Sequence, residues 1–130
     1  MKARHIDHVN LRIPEDGVAD TREFYGDGLG FGIEDALFEA GEKPFLDVRL
    51  SATGVIHLWP TAEFEPPTAT NYDHVCVVVE ESLEAIEAEL AEAGIDLERT
   101  LESPLGATGE AAAAYVRDPF GYRIEIKARV

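Results

Sequence analysis

The chain repeats itself, and the repeat limits what it can fold into more than any other feature. Asp7-His8-Val9 opens the strand-like run HVNLRI, and Asp73-His74-Val75 opens HVCVVV in the same way. In the first half a helical stretch follows from about Val18 to Tyr25, then the glycine-rich turn GDGLGFG. Strand-like runs come next at about Gly32–Phe38, PFLDVRL and GVIHLWP. The second half has a helix over Ser82–Ala93 and runs near IDLERTL, AAAYVRD and YRIEIKA. Each half therefore reads β-α-β-β-β. The predicted fold is α+β: two such modules forming a curved mixed sheet, with the helices on its convex face. Module one covers about 1–61 and module two about 72–130, within a single domain of 130 residues. The linker, about 62–71, contains Pro66-Pro67, which cannot continue a ladder.

The second helix has the better-defined ends. Ser82 is its N-cap, Leu83, Ile86 and Leu90 line one face, and Gly94 suits the left-handed position after it. The first helix has Phe24 and Tyr25 as apolar anchors. Asp118-Pro119-Phe120-Gly121 is a turn by composition, with Asp, Pro and Gly at the positions a tight turn favours, and Ser51–Gly54 occupies the matching place in the first half.

Side chains alternate faces along a strand, so parity assigns each one. Val9, Leu11 and Ile13 share a face, leaving His8, Asn10 and Arg12 opposite. Val75, Val77 and Val79 oppose His74, Cys76 and Val78. In the last strand Ile124 and Ile126 oppose Arg123, Glu125 and Lys127. In GVIHLWP, Ile56 and Leu58 oppose Val55, His57 and Trp59. His8, His57, His74 and Glu125 then lie on the polar concave side, and His5 falls on the other. Counting from the turn glycines conflicts with this assignment. Glu125 is four residues past Gly121, whereas His57 is three past Gly54, so a strict alignment would match Leu58 to Glu125. Setting Ile-His-Leu on Ile-Glu-Ile keeps both apolar pairs inside, and a turn or bulge absorbs the odd residue.

Three imidazoles and one carboxylate on one concave face suit a borderline divalent ion: Zn, Ni, Co, Mn or Fe(II). Such an ion with open positions acts as a Lewis acid on a substrate oxygen. The plainer alternative is a set of strand histidines, each satisfied by a neighbour. Cys76 reads as a small core residue, and Trp59 as the edge of a pocket. Arg12, Arg123 and Lys127 either bind an anionic substrate group or pair with carboxylates, the commoner outcome.

Charge sets the partners. There are 26 acidic against 11 basic residues, for a net charge of −15. Such a chain repels nucleic acid and anionic membranes, so neither is expected as a partner. Lysine occurs only at Lys2, Lys43 and Lys127. An acid-rich, lysine-poor surface resembles those of salt-adapted proteins, and salt adaptation is expected on that ground. No run approaches the ~20 apolar residues of a membrane helix, and no signal-peptide core is present. The single cysteine excludes an internal disulfide, so a cytoplasmic location is expected.

The two β-α-β-β-β halves, IDHVNL…FYGDGLGF, YDHVCVVV and YVRDPFGYRIEI resemble the vicinal oxygen chelate superfamily. That group includes glyoxalase I, methylmalonyl-CoA epimerase, fosfomycin-resistance enzymes, extradiol dioxygenases and bleomycin-binding proteins. The resemblance covers nearly the whole chain. It implies that the first and last strands of each module supply metal ligands, here His8 and His57, then His74 and Glu125. It also implies a metal that chelates a small substrate through oxygen and stabilises an enediolate-type intermediate, with Glu125 and His57 as the catalytic residues. Glyoxalase I usually carries Glu where this chain has His57, and a histidine there can ligate or shuttle a proton. Asn10 and Tyr115 match polar positions that touch substrate in fosfomycin-type relatives; Arg12 is a further candidate. The expected function is thus a metal-dependent lyase or isomerase of glyoxalase type. An extradiol-type dioxygenase and a thiol transferase of antibiotic-resistance type are the alternatives. Paired-module relatives commonly dimerise, which implies a homodimer.

Overall fold

A computed structural model describes residues 1–2, 4–68 and 70–129. The chain divides into two compact units, Met1–Glu65 and Pro66–Val130.

In the first unit, strand β1 (His8–Pro14) alternates exposed and buried positions, with Leu11 and Ile13 in the core. The chain then enters a single helical turn, α1 (Val18–Thr21), which widens into a π-helical stretch over Arg22–Gly28. The widening falls where Gly26 and Gly28 weaken the α-helical preference, and it buries the adjacent Phe24 and Tyr25 together. Gly26 packs against Ile33, where a Cβ would come within 3.0 Å.

The strand expected over Gly32–Phe38 is shorter. β2 spans Gly32–Glu34 and gives way to a helical turn, α2 (Ala36–Glu39). Arg22 explains the break, because its guanidinium bonds Asp35 at 2.7 Å and also reaches Glu39. β3 (Leu46–Ser51) and β4 (Gly54–Thr61) complete a mixed sheet of order β1-β4-β3-β2. β1 runs parallel to β4, and the other pairs are antiparallel. Leu46, Val48, Ile56 and Leu58 are fully buried beside Leu11 and Ile13 on its apolar face.

The second unit follows the same plan with β5 (Val75–Val78), α3 (Leu83–Glu92), β6 (Leu97–Leu101), a small hairpin of β7 (Leu105–Gly106) and β8 (Gly109–Glu110), β9 (Ala113–Arg117) and β10 (Arg123–Lys127). Its sheet order is β5-β10-β9-β6, again with one parallel pair, β5 with β10. The ladders thus form two four-stranded mixed sheets, one for each half of the repeat. Ser82 caps α3 by accepting a hydrogen bond from the Ala85 amide at 3.3 Å, and Gly94 follows with φ +69°. The β7–β8 hairpin, in its own two-stranded sheet, is absent from the hydrophobic pattern because both strands are two residues long.

Register settles the alignment of the halves. Asn10, two residues after His8, pairs with His57, and Cys76, two after His74, pairs with Glu125. His57 and Glu125 are therefore equivalent, and Leu58 is core. The glycines mislead because they differ in role. Gly54 is already in β4, paired with Ser51, whereas Gly121 sits in a turn at φ +93° before β10 begins. The Asp118 carboxylate builds that turn, accepting from the Phe120 and Tyr122 amides at 2.9 and 2.8 Å.

Candidate functional site: two donor pairs with oriented histidines

On the polar face of the first sheet the His8 and His57 rings lie 4.3 Å apart, centre to centre. Each is held from behind. His8 Nδ1 is bonded to its sequence neighbour Asp7 at 2.8 Å, and His57 Nδ1 to Asp47 at 2.6 Å. A carboxylate on Nδ1 requires the proton there, which leaves the Nε2 lone pair for another partner. Asp47 is buried and accepts a second hydrogen bond from Lys43 at 2.6 Å. Burial pushes its carboxyl up, but the bonds from Lys43 and His57 outweigh that and hold it below the ordinary value. Phe45 packs on the His57 ring at 4.3 Å and stacks on Trp59 at 5.1 Å. Arg12 covers Trp59 at 5.0 Å. Asn10 is exposed beside His57, on the neighbouring strand.

The second sheet presents its own pair. His74 Nδ1 is bonded to Asp73 at 2.5 Å, and its Nε2 lies 2.9 Å from Glu125 Oε2. Glu125 is buried at 5% exposure, between Cys76 on one neighbouring strand and Tyr115 on the other. Burial, then the hydrogen bond with Glu125 and its charge, pushes the Tyr115 phenol up to about 12. The phenol therefore stays protonated near neutrality. The Tyr115 ring meets His74 edge-on at 5.6 Å and carries the Arg99 guanidinium 4.7 Å above it.

Two expectations are corrected. Cys76 is exposed rather than a core residue, since it lies on the polar face beside Glu125. Desolvation of its sulfur and the Glu125 charge push the thiol up to about 11, so it is a poor nucleophile. Lys127 makes no ion pair with a carboxylate among the described residues. It is buried, and its ammonium donates to the carbonyls of Pro104 at 2.8 Å, just before β7, and Gly109 at 2.6 Å, at the start of β8. Arg123 does pair with carboxylates, at 2.6 Å from Glu98.

Sequence reasoning passed over Asp7, Asp47, Asp73, Lys43, Phe45 and Arg99. A signal existed for the aspartates. Asp7 and Asp73 belong to the repeated tripeptide, and Asp47 interrupts an otherwise apolar run.

A model of the glyoxalase/bleomycin resistance protein/dioxygenase superfamily matches residues 5–126. The chain belongs to this superfamily. A virulence protein of Salmonella typhimurium is 30% identical over 129 residues, spanning 96% of this chain and 84% of that protein. The crystal structure of a Salmonella typhimurium virulence protein overlays with a TM-score of 0.78 at 28% identity, covering 100% of both chains. A glyoxalase family protein from Bacillus anthracis gives 0.75 at 23%, covering 100% of this chain and 98% of that one. Lactoylglutathione lyase from Agrobacterium tumefaciens gives 0.68 at 18%, covering 98% and 95%. The last two show a shared glyoxalase fold.

Superfamily members typically bind divalent metals. Among the described residues no group of three or more His, Cys, Asp or Glu side chains is arranged to hold an ion, and the donors stand in pairs. The chemistry of each pair fits. Imidazole with Nδ1 tied to a carboxylate is the usual state of a metal-ligating histidine, and a buried carboxylate beside it supplies charge.

Proposed function

We propose that the chain is a divalent-metal-dependent enzyme of glyoxalase type, a lyase or isomerase acting on a small oxygen-bearing substrate. His8 and His57 supply one pair of donors to the ion, and His74 and Glu125 the other, from one chain or from two. One observation supports this reading above the rest: all three site histidines have Nδ1 bonded to an aspartate, which turns Nε2 of His8 and His57 to the polar face and sets Nε2 of His74 against Glu125, the other donor of its pair. Isolated strand histidines satisfied at random would not share that arrangement. A bound ion would supply Lewis acidity to adjacent substrate oxygens, offsetting charge that develops there.

The chain's own residues do the rest. Glu125 is the candidate proton acceptor, since its carboxylate is buried on the polar face with Oε2 2.9 Å from the His74 ring. The Tyr115 phenol stays protonated beside it and keeps the carboxylate oriented. His57 is held by Asp47 and Lys43, so its ring cannot turn away from the face it shares with His8. Asn10 and Arg12 line the same face and are candidates for substrate contact.

The test is metal analysis of protein purified without chelator, followed by turnover with hemithioacetals, catechols and fosfomycin. About one ion for each set of two donor pairs is expected, with high-affinity binding lost in both His8→Ala and His74→Ala. Wild-type metal content in both variants would sink the assignment. Turnover of catechols with O₂ would move the chain to the dioxygenase branch, and turnover of fosfomycin with a thiol to the transferase branch.

A further inference from the structure

Carboxylates outnumber basic residues 26 to 11 in this chain, and most of its arginines pair with one. Arg22 pairs with Asp35, Arg49 with Glu34, Arg117 and Arg123 with Glu98, and Arg129 with Glu80. Arg99 makes no ion pair among the described residues. Instead it lies exposed in strand β6, its guanidinium 4.7 Å over the Tyr115 ring. Asp73 is close enough to feel its charge, but that carboxylate is engaged by His74 at 2.5 Å and lies 3.7 Å from Arg123.

Stacking uses the flat face of a guanidinium and leaves its N–H edge open. That edge is placed by register. Arg99 is opposite Tyr115, and Tyr115 is opposite Glu125, on three adjacent strands. Two strand spacings put its backbone roughly 10 Å from that of Glu125. Tyr115 thus lies between the Arg99 guanidinium and the His74–Glu125 pair.

We propose that Arg99 is the anion-binding residue of this site, and that the substrate carries a carboxylate a few bonds from the oxygens offered to the metal. The guanidinium takes that carboxylate through its fork while its face stays on Tyr115. The net charge of −15 sharpens the need, because an anionic substrate is repelled by the surface at large and requires a local cation. This inference deepens the metal-dependent reading and names its substrate class.

Two probes test it: 2-hydroxyglutarate and 2-hydroxybutyrate offer the same chelating end, and only the first has a second carboxylate. Metal-loaded wild type is expected to bind 2-hydroxyglutarate roughly tenfold tighter. Arg99→Gln brings the two probes to equal affinity, and Arg99→Lys, which keeps the charge without the fork, falls between. In metal-free protein, glutarate is expected to shift the Arg99 Nε–Hε resonance, an arm that does not depend on the metal. Protein that takes up no metal yet shows this shift would retire the metal reading and keep the anion site. Equal wild-type affinities for the two probes, an Arg99→Gln variant that keeps the preference, or an Arg99 resonance that glutarate leaves in place overturns the proposal.

Discussion

At the scale of single residues, the polar faces work through fixed pairings. His57 and Leu58 are neighbours with opposite tasks, and substitution separates them. Leu58 is fully buried, so Leu58→Ala should cost about 2–5 kcal/mol in denaturant unfolding. His57→Ala should leave the fold intact and weaken metal binding. The reverse pattern would contradict the register found here. Tyrosine titration offers a second check. Burial pushes Tyr72 up to about 12, as burial and Glu125 do for Tyr115, against 10.0 for an unperturbed phenol. A raised folded-state value means both phenols contribute stability below pH 10, lost as pH rises through about 12. Tyr72→Phe and Tyr115→Phe should each flatten the alkaline limb of the melting-temperature profile, and an unaltered limb would contradict the burial described.

Among the elements, β10 carries the most. Ile124 and Ile126 bury one face, while Glu125 and Lys127 share the other. Two residues apart on one face, they serve different ends: Glu125 partners His74, and Lys127 clips the β7–β8 hairpin. A Cβ on Gly106 would come 2.8 Å from the Lys127 ammonium, so the hairpin approaches the lysine through a glycine. Lys127→Met should therefore leave two carbonyls without their charged donor, a cost of about 1–3 kcal/mol. It should also speed amide exchange at residues 105–110. Wild-type protection there would show that the clip is not what holds the hairpin.

For the whole molecule, charge and assembly make separate predictions. With 26 acidic residues, self-repulsion should weaken the fold at low salt and be screened at high salt. A marked rise of melting temperature in molar KCl is expected, and indifference to salt would remove the idea of a salt-adapted surface. We also propose a homodimer, the commonest closed assembly. If donors are shared between chains, His8→Ala protein refolded together with Glu125→Ala protein should recover some activity, because one site regains every ligand. A monomer by light scattering at working salt would end that proposal.

The duplicated β-α-β-β-β plan was legible from residues alone because strand and helix periods are local, and so were the caps of α3 and the Asp118 turn. The polar face was legible for the same reason, since parity needs only the chain itself. The pairings were not. Asp47 reaches His57 across a ladder, Arg99 reaches Tyr115 across another, and Lys127 spans from β10 to a hairpin too short to leave a pattern. The fate of each cation was decided by which neighbour the register brought within hydrogen-bonding or stacking distance. Composition favoured a carboxylate for every one of them, and only the tertiary structure could set Arg99 on an aromatic ring and Lys127 on backbone carbonyls.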